Sequence, residues 1–387
     1  MFSKLIMVGA TTQNNKLVNG QSMMFQLFVD NLQERNVETI IVDFGKSVDK
    51  NLYNKRVSGK FSITKLVDNF LLIFRFVFVL ITNPKTAIYI TTSQSKVGFV
   101  RDHLFISLAK IFNRKIVAHQ FGANYQEFYN TQTEEFKNKI KKTLEKTDFV
   151  IVEGDYTKEQ FQFLSDYKTK VVTIPNGLPE NIKSNSISPK NINPAQPIRI
   201  IYLSNLIESK GYWDVLQAIN ILANRENVNM EAIFSGKFLQ DIDDKMFSSS
   251  DHARNEFFNF IKANKLEERV QYYEGLFGEN KSKAFNDAHF FSLPSYYGNE
   301  GQPVSILEAL AYGCVPIVTD YRVIPTMVNT DNGFFVNPKS PEEIVKAITS
   351  MVSNPEAYHR KSESGIQFYL DNFTADKYVN KLIELFK

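Results

Sequence analysis

The sequence is poor in the residues that form disulfides and metal clusters. Its 387 residues include one cysteine, Cys314, and five histidines. An intramolecular disulfide and a cysteine-cluster metal site are therefore excluded. Four of the histidines, His103, His252, His289 and His359, are scattered and do not have the spacing of zinc ligands.

Long hydrophobic runs are also missing. The most apolar stretch, residues 70–81 (FLLIFRFVFVLI), has 12 residues and contains Arg75, whereas a membrane-spanning helix needs about 20 apolar residues. We interpret this stretch as a buried helix. The first residues, MFSKLIMVGATTQNN, become polar too early for a signal peptide. We therefore expect a cytoplasmic protein.

The composition is that of a globular protein with an uneven distribution of charge. Hydrophobic residues make up 43% and charged residues 22% of the chain, and its length favours two domains. Residues 1–177 contain 24 Lys and Arg against 16 Asp and Glu, a net charge of +8, whereas the remainder has a net charge of −5. The basic residues are grouped: Lys46, Lys50, Lys55, Arg56, Lys60 and Lys65; Arg114 and Lys115; Lys137, Lys139, Lys141, Lys142 and Lys146.

Three interpretations of this basic half differ in the partner they imply. The plainest is a solvated face. The second is docking on an anionic membrane or on a phosphate-bearing acceptor, since lysine and arginine are attracted to such surfaces. Nucleic acid is the third, and we do not expect it, because no nucleic-acid-binding motif accompanies the charge.

Short apolar runs alternate with segments of helical periodicity, which is typical of parallel sheets covered by helices. The first half predicts one doubly wound domain, with a helix at 20–33. Its predicted strands are 4–8, 39–43, 87–91, 115–118, 149–152 and 171–174.

A second domain of the same class follows a polar segment rich in Asn, Ser and Pro. Its predicted strands are 198–203, 231–234, 270–273, 289–293 and 316–318, with helices at 212–223, 341–352 and 375–386. We predict domains at 1–178 and 198–365, a linker at 179–197, and a C-terminal helix at about 366–387 that packs back on the first domain. Ligands of open α/β sheets bind at the carboxyl ends of the strands, so we expect a site in a central cleft between the domains.

The most informative stretch is residues 293–319, LPSYYGNEGQPVSILEALAYGCVPIVT. Pro303 at the start and Gly313 at the end are typical helix boundaries. The amino terminus of such a helix favours a phosphate. Glu300 precedes this helix and Glu308 lies within it. Two carboxylates so placed could accept hydrogen bonds from different hydroxyls of one extended ligand, which suits a sugar nucleotide.

This stretch resembles the E-x7-E signature of retaining GT-B glycosyltransferases of family 4, embedded here in EGQP and EALAYGCVPI. The resemblance implies that Glu300 contacts the transferred sugar and Glu308 the ribose of the nucleotide. It also implies that the backbone of Gly301, Gln302, Pro303 and Val304 lies near the phosphates. A GT-B fold, two Rossmann-like domains facing a cleft, follows from the same resemblance.

Residues 202–211, YLSNLIESKG, resemble the family segment whose Arg and Lys hold the donor diphosphate. Lys210 matches the Lys, and Asn205 stands where the family has Arg. Because Asn can donate a hydrogen bond but carries no charge, this departure weakens the expected hold on the diphosphate.

Five further positions are candidates of lower specificity. His119 follows a predicted strand, and the family has a His at the matching place near the donor sugar; it is also a residue type that is commonly just a hydrogen-bonded polar group. Asn19 and Gly20 resemble the glycine-containing acceptor or phosphate loop, and an ordinary turn before a helix would look the same. Gly236 and Leu276 follow strands of the second domain and could contact the base, although Gly in such turns needs no ligand to explain it.

These features together predict a retaining hexosyltransferase that transfers a sugar from a nucleoside diphosphate sugar, with UDP as the expected nucleotide, to an acceptor hydroxyl. We expect no cofactor and no metal. The acceptor is expected to be a glycan or a lipid-linked molecule of surface polysaccharide assembly, and a peripheral position on the inner face of the membrane follows from the basic first domain. Two alternatives stay open: a non-catalytic accessory subunit, or a GT-B epimerase or phosphorylase.

Overall fold

A computed structural model of the chain describes residues 2–12, 20–44, 63–178, 187–241 and 244–387. The chain divides into two compact units: unit 1 is Met1–Pro179 with Ala375–Lys387, and unit 2 is Glu180–Thr374. Each contains a parallel sheet with six described strands. The alternation of buried strands and helices in the sequence therefore predicted the fold class correctly.

In unit 1 the strand order is β2-β1-β3-β4-β5-β6, and every described pair is parallel. The strands are β1 (Lys4–Gly9), β2 (Glu38–Asp43), β3 (Ile88–Thr92), β4 (Ile116–Gln120), β5 (Phe149–Val152) and β6 (Val171–Thr173). The helices are α1 (Gly20–Glu34), α2 (Ile63–Thr82), α3 (Lys96–Ile111), α4 (Tyr125–Asn130), α5 (Glu134–Leu144), α6 (Asp155–Lys158) and α7 (Tyr167–Lys170).

In unit 2 the order is β12-β11-β10-β7-β8-β9. The strands are β7 (Ile198–Leu203), β8 (Met230–Ser235), β9 (Val270–Tyr273), β10 (Phe290–Leu293), β11 (Val315–Val318) and β12 (Phe334–Phe335). The helices are α8 (Tyr212–Asn224), α9 (Ser250–Ala263), α10 (Gly278–Asp287), α11 (Val304–Ala311), α12 (Pro341–Val352) and α13 (Pro355–Asn372). β12 has two residues and was not predicted.

The last helix, α14 (Ala375–Glu384), returns to unit 1, where it packs against α1. Arg35, the residue after α1, forms an ion pair of 2.8 Å with Asp376. The rings of Phe28 and Phe386 lie 6.4 Å apart. α13 stays with unit 2 up to residue 372, so the segment that joins unit 1 begins later than the predicted position of about 366.

The interpretation of residues 70–81 as a buried helix is wrong for one face of α2. Phe76, Val79 and Leu80 are buried in the unit 1 core, whereas Leu71, Phe74, Phe78 and Ile81 are between 58% and 67% exposed. Hydrophobicity on both sides of a helix does not reveal which side the sheet covers. Within the described part of the chain, no helix has the length and apolar character needed to cross a bilayer.

Candidate active site

Glu300 lies on the loop that follows β10 and is held there by two side chains. Its carboxylate accepts a hydrogen bond from the Ser295 hydroxyl through Oε2 at 2.6 Å, and its Oε1 is 3.2 Å from the Lys210 ammonium. Glu300 is 5% exposed. A buried carboxylate needs such partners, because desolvation disfavours its charged form. The loop therefore presents one fixed, ion-paired carboxylate.

Lys210 reaches this carboxylate from a neighbouring strand. It ends the short 3-10 helix Glu208–Lys210 that follows β7, the strand hydrogen-bonded to β10. Its ammonium also lies 5.0 Å from the centre of the Tyr297 ring. Lys210 and Glu300, which the sequence predicted as partners in one site, are thus brought together at the carboxyl ends of two adjacent strands.

Gly211 allows the two loops to approach each other. Its φ is +75°, and a Cβ at this position would lie 2.6 Å from atoms of Pro294. Just beside it, the Tyr296 amide donates to the carbonyl of Ser209 at 2.7 Å. Both the left-handed backbone and the lack of space exclude a larger residue. The glycine after Lys210 therefore sets the distance between the lysine loop and the glutamate loop.

Glu308 lies inside α11 and forms the second buried ion pair. Its Oε1 is 2.6 Å from the ammonium of Lys281, which is on α10. The two side chains are 4% and 11% exposed. A lysine from a separate helix therefore holds this carboxylate. The predicted ribose contact would use the same carboxylate that Lys281 binds.

The residues between the two glutamates lead into the helix. Gly301, Gln302 and Pro303 follow Glu300, and α11 begins at Val304 with Pro303 as its N-cap residue. Gln302 is 4% exposed. The first N–H groups of a helix have no acceptor within it, and the helix dipole adds positive potential there. The predicted phosphate contact at these residues stays a prediction.

Asn205 and Gly236 lie in the loops that follow β7 and β8. The Lys237 amide donates to Asn205 Oδ1 at 3.4 Å, and the Asn205 carbonyl accepts from the Tyr202 hydroxyl at 3.1 Å. A Cβ on Gly236 would lie 2.0 Å from the Ser204 carbonyl oxygen. These contacts give both residues a structural role in joining the two loops.

Leu276 follows β9, and its amide donates to the Ser235 hydroxyl at 3.0 Å. It also lines a cavity of about 540 Å³ beside α10. That cavity extends to Arg199 and Glu231 at the amino ends of their strands, away from the end that carries Lys210 and Glu300. We therefore do not identify it as the donor site.

The sites predicted in unit 1 have a different character. His119, at the end of β4, is fully buried, and burial lowers its pKa to about 3, so the ring is neutral. Its Nδ1 lies 2.6 Å from the Tyr89 hydroxyl, and its ring stacks on Phe121 at 3.9 Å. Gly20 is the exposed first residue of α1. Asn19 lies outside the described residues, as do Lys46, Lys50, Lys55, Arg56 and Lys60.

Burial also shifts titrating groups close to the glutamate loop. It raises the pKa of Asp214 to about 6, against the opposing effect of the Lys339 amide and ammonium. It raises the pKa of Tyr296 to about 12, with Glu208 and Asp214 adding to the shift. Burial is the largest cause of both pKa shifts, so Asp214 and Tyr296 lie where water reaches them poorly. In the described residues, no group of three or more His, Cys, Asp or Glu is placed to hold a metal ion.

Three residues that contact the predicted ones were not predicted from sequence: Ser295, Tyr297 and Lys281. Ser295 directly follows Pro294 at the strand end, inside the motif that contains Glu300. Lys281 belongs to the buried stripe of α10 with Ala284 and Phe285. A lysine within an apolar stripe must find an anionic or hydrogen-bonding partner, and this pattern could have revealed it.

Residues 183–368 match the sequence model of the family described as glycosyl transferases group 1. An uncharacterized glycosyltransferase of Haemophilus influenzae is 25% identical over 184 residues, and the match spans 46% of this chain and 46% of that protein, so the chain matches about half the length of this curated relative.

Two solved structures resemble the chain over nearly its whole length. The sucrose-phosphate synthase of Thermosynechococcus elongatus has a TM-score of 0.68 at 15% identity and covers 99% of this chain and 98% of its own. Anabaena Alr3699/HepE, in complex with UDP and glucose, has a TM-score of 0.69 at 13% identity and covers 99% of both chains. Residues 183–368 thus match the group 1 glycosyl transferases in sequence, and the chain as a whole has the GT-B fold.

Proposed function

We propose that this protein is a glycosyltransferase that transfers a sugar from a nucleoside diphosphate sugar to an acceptor hydroxyl. The observation that carries the proposal is the position of Glu300, buried between Lys210 and Ser295 at the carboxyl ends of β7 and β10. The group 1 family match covers the same unit. HepE, which shares the fold, was crystallised with UDP and glucose, which supports a UDP-hexose as the donor.

The site offers the charges that such a transfer needs. As the bond between sugar and diphosphate breaks, negative charge grows on the diphosphate and positive charge grows on the sugar. Lys210 would move from Glu300 toward the leaving group and stabilise its charge, as a mobile cation does. After Lys210 has moved, Glu300 would accept hydrogen bonds from the sugar hydroxyls. Its negative charge would stabilise the positive charge that develops on the sugar.

The nucleotide end is assigned to Glu308. Its carboxylate is held by Lys281 at 2.6 Å, and the ribose hydroxyls would donate to the same carboxylate. We further propose that the configuration of the anomeric carbon is retained, with the acceptor entering on the face from which the diphosphate departs. In that geometry the departing phosphate accepts the proton of the acceptor hydroxyl, so no side-chain base is required.

The charge of the first half of the chain bears on the acceptor. The net charge of +8 on residues 1–177 favours an anionic acceptor or one that carries phosphate. A glycan or lipid-linked acceptor in the assembly of a surface polysaccharide fits this charge.

Asn205 favours one alternative, a non-catalytic accessory subunit. Its Oδ1 accepts the Lys237 amide, and its side chain brings no positive charge to the diphosphate. An accessory subunit would bind the nucleotide sugar without turning it over. The alternative of an epimerase or phosphorylase is separated from a transferase by whether release of nucleoside diphosphate depends on an acceptor.

The test is release of UDP from a panel of UDP-hexoses, with and without a mixture of glycan acceptors. We expect acceptor-dependent release by the wild type. Glu300→Gln keeps the size of the side chain and loses the charge, so kcat/KM should fall about 100-fold or more, while UDP affinity measured by calorimetry should change by less than about threefold. The matched control is Glu363→Gln, at an exposed position on α13.

The outcomes separate the candidates. Binding of UDP-hexose with no turnover by the wild type under any acceptor would identify an accessory subunit. Release of UDP without acceptor that Glu300→Gln leaves unchanged would contradict the proposed role of Glu300.

A further inference from the structure

Two neighbouring helices of unit 1 carry most of the large hydrophobic side chains that the described residues leave exposed. We define the α2–α3 apolar face as eight such side chains: Leu71, Phe74, Phe78 and Ile81 on α2, and Val97, Val100, Leu104 and Ile111 on α3. The largest exposed fractions are 77% for Ile111, 76% for Val97 and 67% for Phe74. Single exposed hydrophobic residues are normal, whereas a group on one surface marks an interaction site.

The spacing of these residues places them in two stripes. On α2 they follow one another at intervals of three, four and three residues, which is one face of a helix. On α3 the first three follow at intervals of three and four. The opposite sides of the same helices, represented by Phe76 on α2 and by Phe105 on α3, are buried in the core.

Topology brings the two stripes together. α2 connects β2 to β3 and α3 connects β3 to β4, and right-handed crossovers in the same direction put both helices on one face of the sheet. The two helices are in contact, and α5 contacts α3 on its other side. The α2–α3 apolar face therefore lies on the outer side of a single helical layer.

The charges next to this face are mostly positive. α3 contributes exposed Lys96 and Lys110, and its one carboxylate, Asp102, is buried against Arg101 at 2.6 Å. α5 contributes exposed Lys139 and Lys142, and its first turn carries exposed Glu134 and Glu135. An apolar stripe with cations beside it is the arrangement found in helices that lie in the surface of an anionic membrane.

We propose that the α2–α3 apolar face inserts into the headgroup region of an anionic bilayer, with the lysines of α3 and α5 on the lipid phosphates. A second copy of the chain fits this face less well, since pairing it with itself would bring the lysines of both copies together. The bilayer supplies the opposite charge and a liquid apolar phase that needs no matching shape. This docking goes beyond the proposed sugar transfer and does not depend on it.

The test is flotation of the full-length protein with vesicles of phosphatidylcholine and phosphatidylglycerol in equal amounts. The double variant Phe74→Glu, Phe78→Glu should lower the partition coefficient about 100-fold, since each inserted aromatic ring contributes about tenfold. The matched control is Tyr156→Glu, an aromatic residue of unit 1 that is 53% exposed outside this face, and it should bind as the wild type does. Circular dichroism verifies that each variant is folded.

A second variant separates the contribution of the lysine charges from that of the inserted aromatic side chains. The double variant Lys139→Gln, Lys142→Gln should bind the anionic vesicles more weakly than the wild type at low salt. At high salt the two proteins should bind equally, because salt screens exposed charges. Absence of wild-type binding, or equal binding by the Phe74, Phe78 variant, would overturn the proposal. A wild-type dimer that this variant dissociates, without vesicle binding, would assign the face to a second copy. UDP release in solution, measured separately, reports on the proposed transfer alone.

Discussion

The two glutamates of the E-x7-E pattern share one physical property: each is buried and each is paired with a lysine. Glu300 is paired with Lys210 at 3.2 Å and Glu308 with Lys281 at 2.6 Å. A buried ion pair contributes little net stability compared with apolar residues, but removal of one partner leaves an uncompensated charge. Each lysine therefore offsets the charge of a carboxylate that water reaches poorly.

A substitution at Lys281 tests this at the residue scale. Lys281→Met should reduce the free energy of unfolding by about 3–5 kcal/mol, because it leaves the Glu308 carboxylate buried without its cation. The double variant Lys281→Met, Glu308→Leu should recover most of that loss. Urea unfolding of the wild type, both single variants and the double variant measures the coupling.

The pH dependence gives a further check of the same variant. Protonation of a carboxylate removes the charge that Lys281 offsets, so Lys281→Met should lose less stability at acidic pH than at neutral pH. Equal losses at both pH values, or no recovery in the double variant, would show that the pair is not coupled.

At the scale of elements, the site is built from loops at the carboxyl ends of parallel strands. The loop after β7 carries Lys210, and the loop after β10 carries Ser295 and Glu300. These loops fit together at Gly211, which has a φ of +75° and lies against Pro294. The amide of Tyr296 and the carbonyl of Ser209 join them by a hydrogen bond of 2.7 Å.

Gly211→Ala should therefore disturb both stability and the site. The left-handed backbone costs about 1–2 kcal/mol for a residue with a Cβ, and the contact with Pro294 adds about 1–3 kcal/mol. Thermal unfolding measures this loss, and a fall in kcat of UDP release measures the displacement of Lys210. The control is Gly298→Ala in the same loop as Glu300, where a Cβ would meet nothing within 4 Å. Similar behaviour of the two variants would contradict the role given to Gly211.

At the scale of the whole molecule, the chain builds two sheets and returns to the first one at its end. α14 packs against α1 of unit 1, and Leu382 and Ile383 of α14 are 0% and 4% exposed. Because these buried side chains belong to unit 1, the stability of that unit depends on residues that follow unit 2 in the sequence.

Truncation of one such side chain should therefore act on unit 1. Leu382→Ala should cost about 2–5 kcal/mol, the usual range for a buried leucine, and should speed amide hydrogen exchange in peptides from β1 and α1. The control is Leu266→Ala, at a position that is 0% exposed in unit 2, for which faster exchange is expected in unit 2. Faster exchange in unit 2 alone after Leu382→Ala would contradict this assignment.

Much of this architecture was predictable from sequence. Strand 149–152 was predicted with the bounds that the structure has, because a short continuous apolar run between turn residues is consistent with a buried strand. β12 was missed, since two residues give no periodicity. The apolar run at 70–81 predicted a helix correctly but not the exposure of Leu71 and Phe74, because hydrophobicity alone does not record which side the sheet covers.

The sequence by itself determined the alternation of strands and helices and the spacing of Glu300 and Glu308, since both depend on residues close together in the chain. Only the tertiary structure decided which lysine meets which glutamate: Lys210 is 90 positions from Glu300, and Lys281 is 27 positions from Glu308. It also decided that His119 lies among buried aromatic rings and that α2 keeps an apolar face exposed. Such pairings depend on the order of strands in the sheet and on the packing of helices against it, which no local pattern encodes.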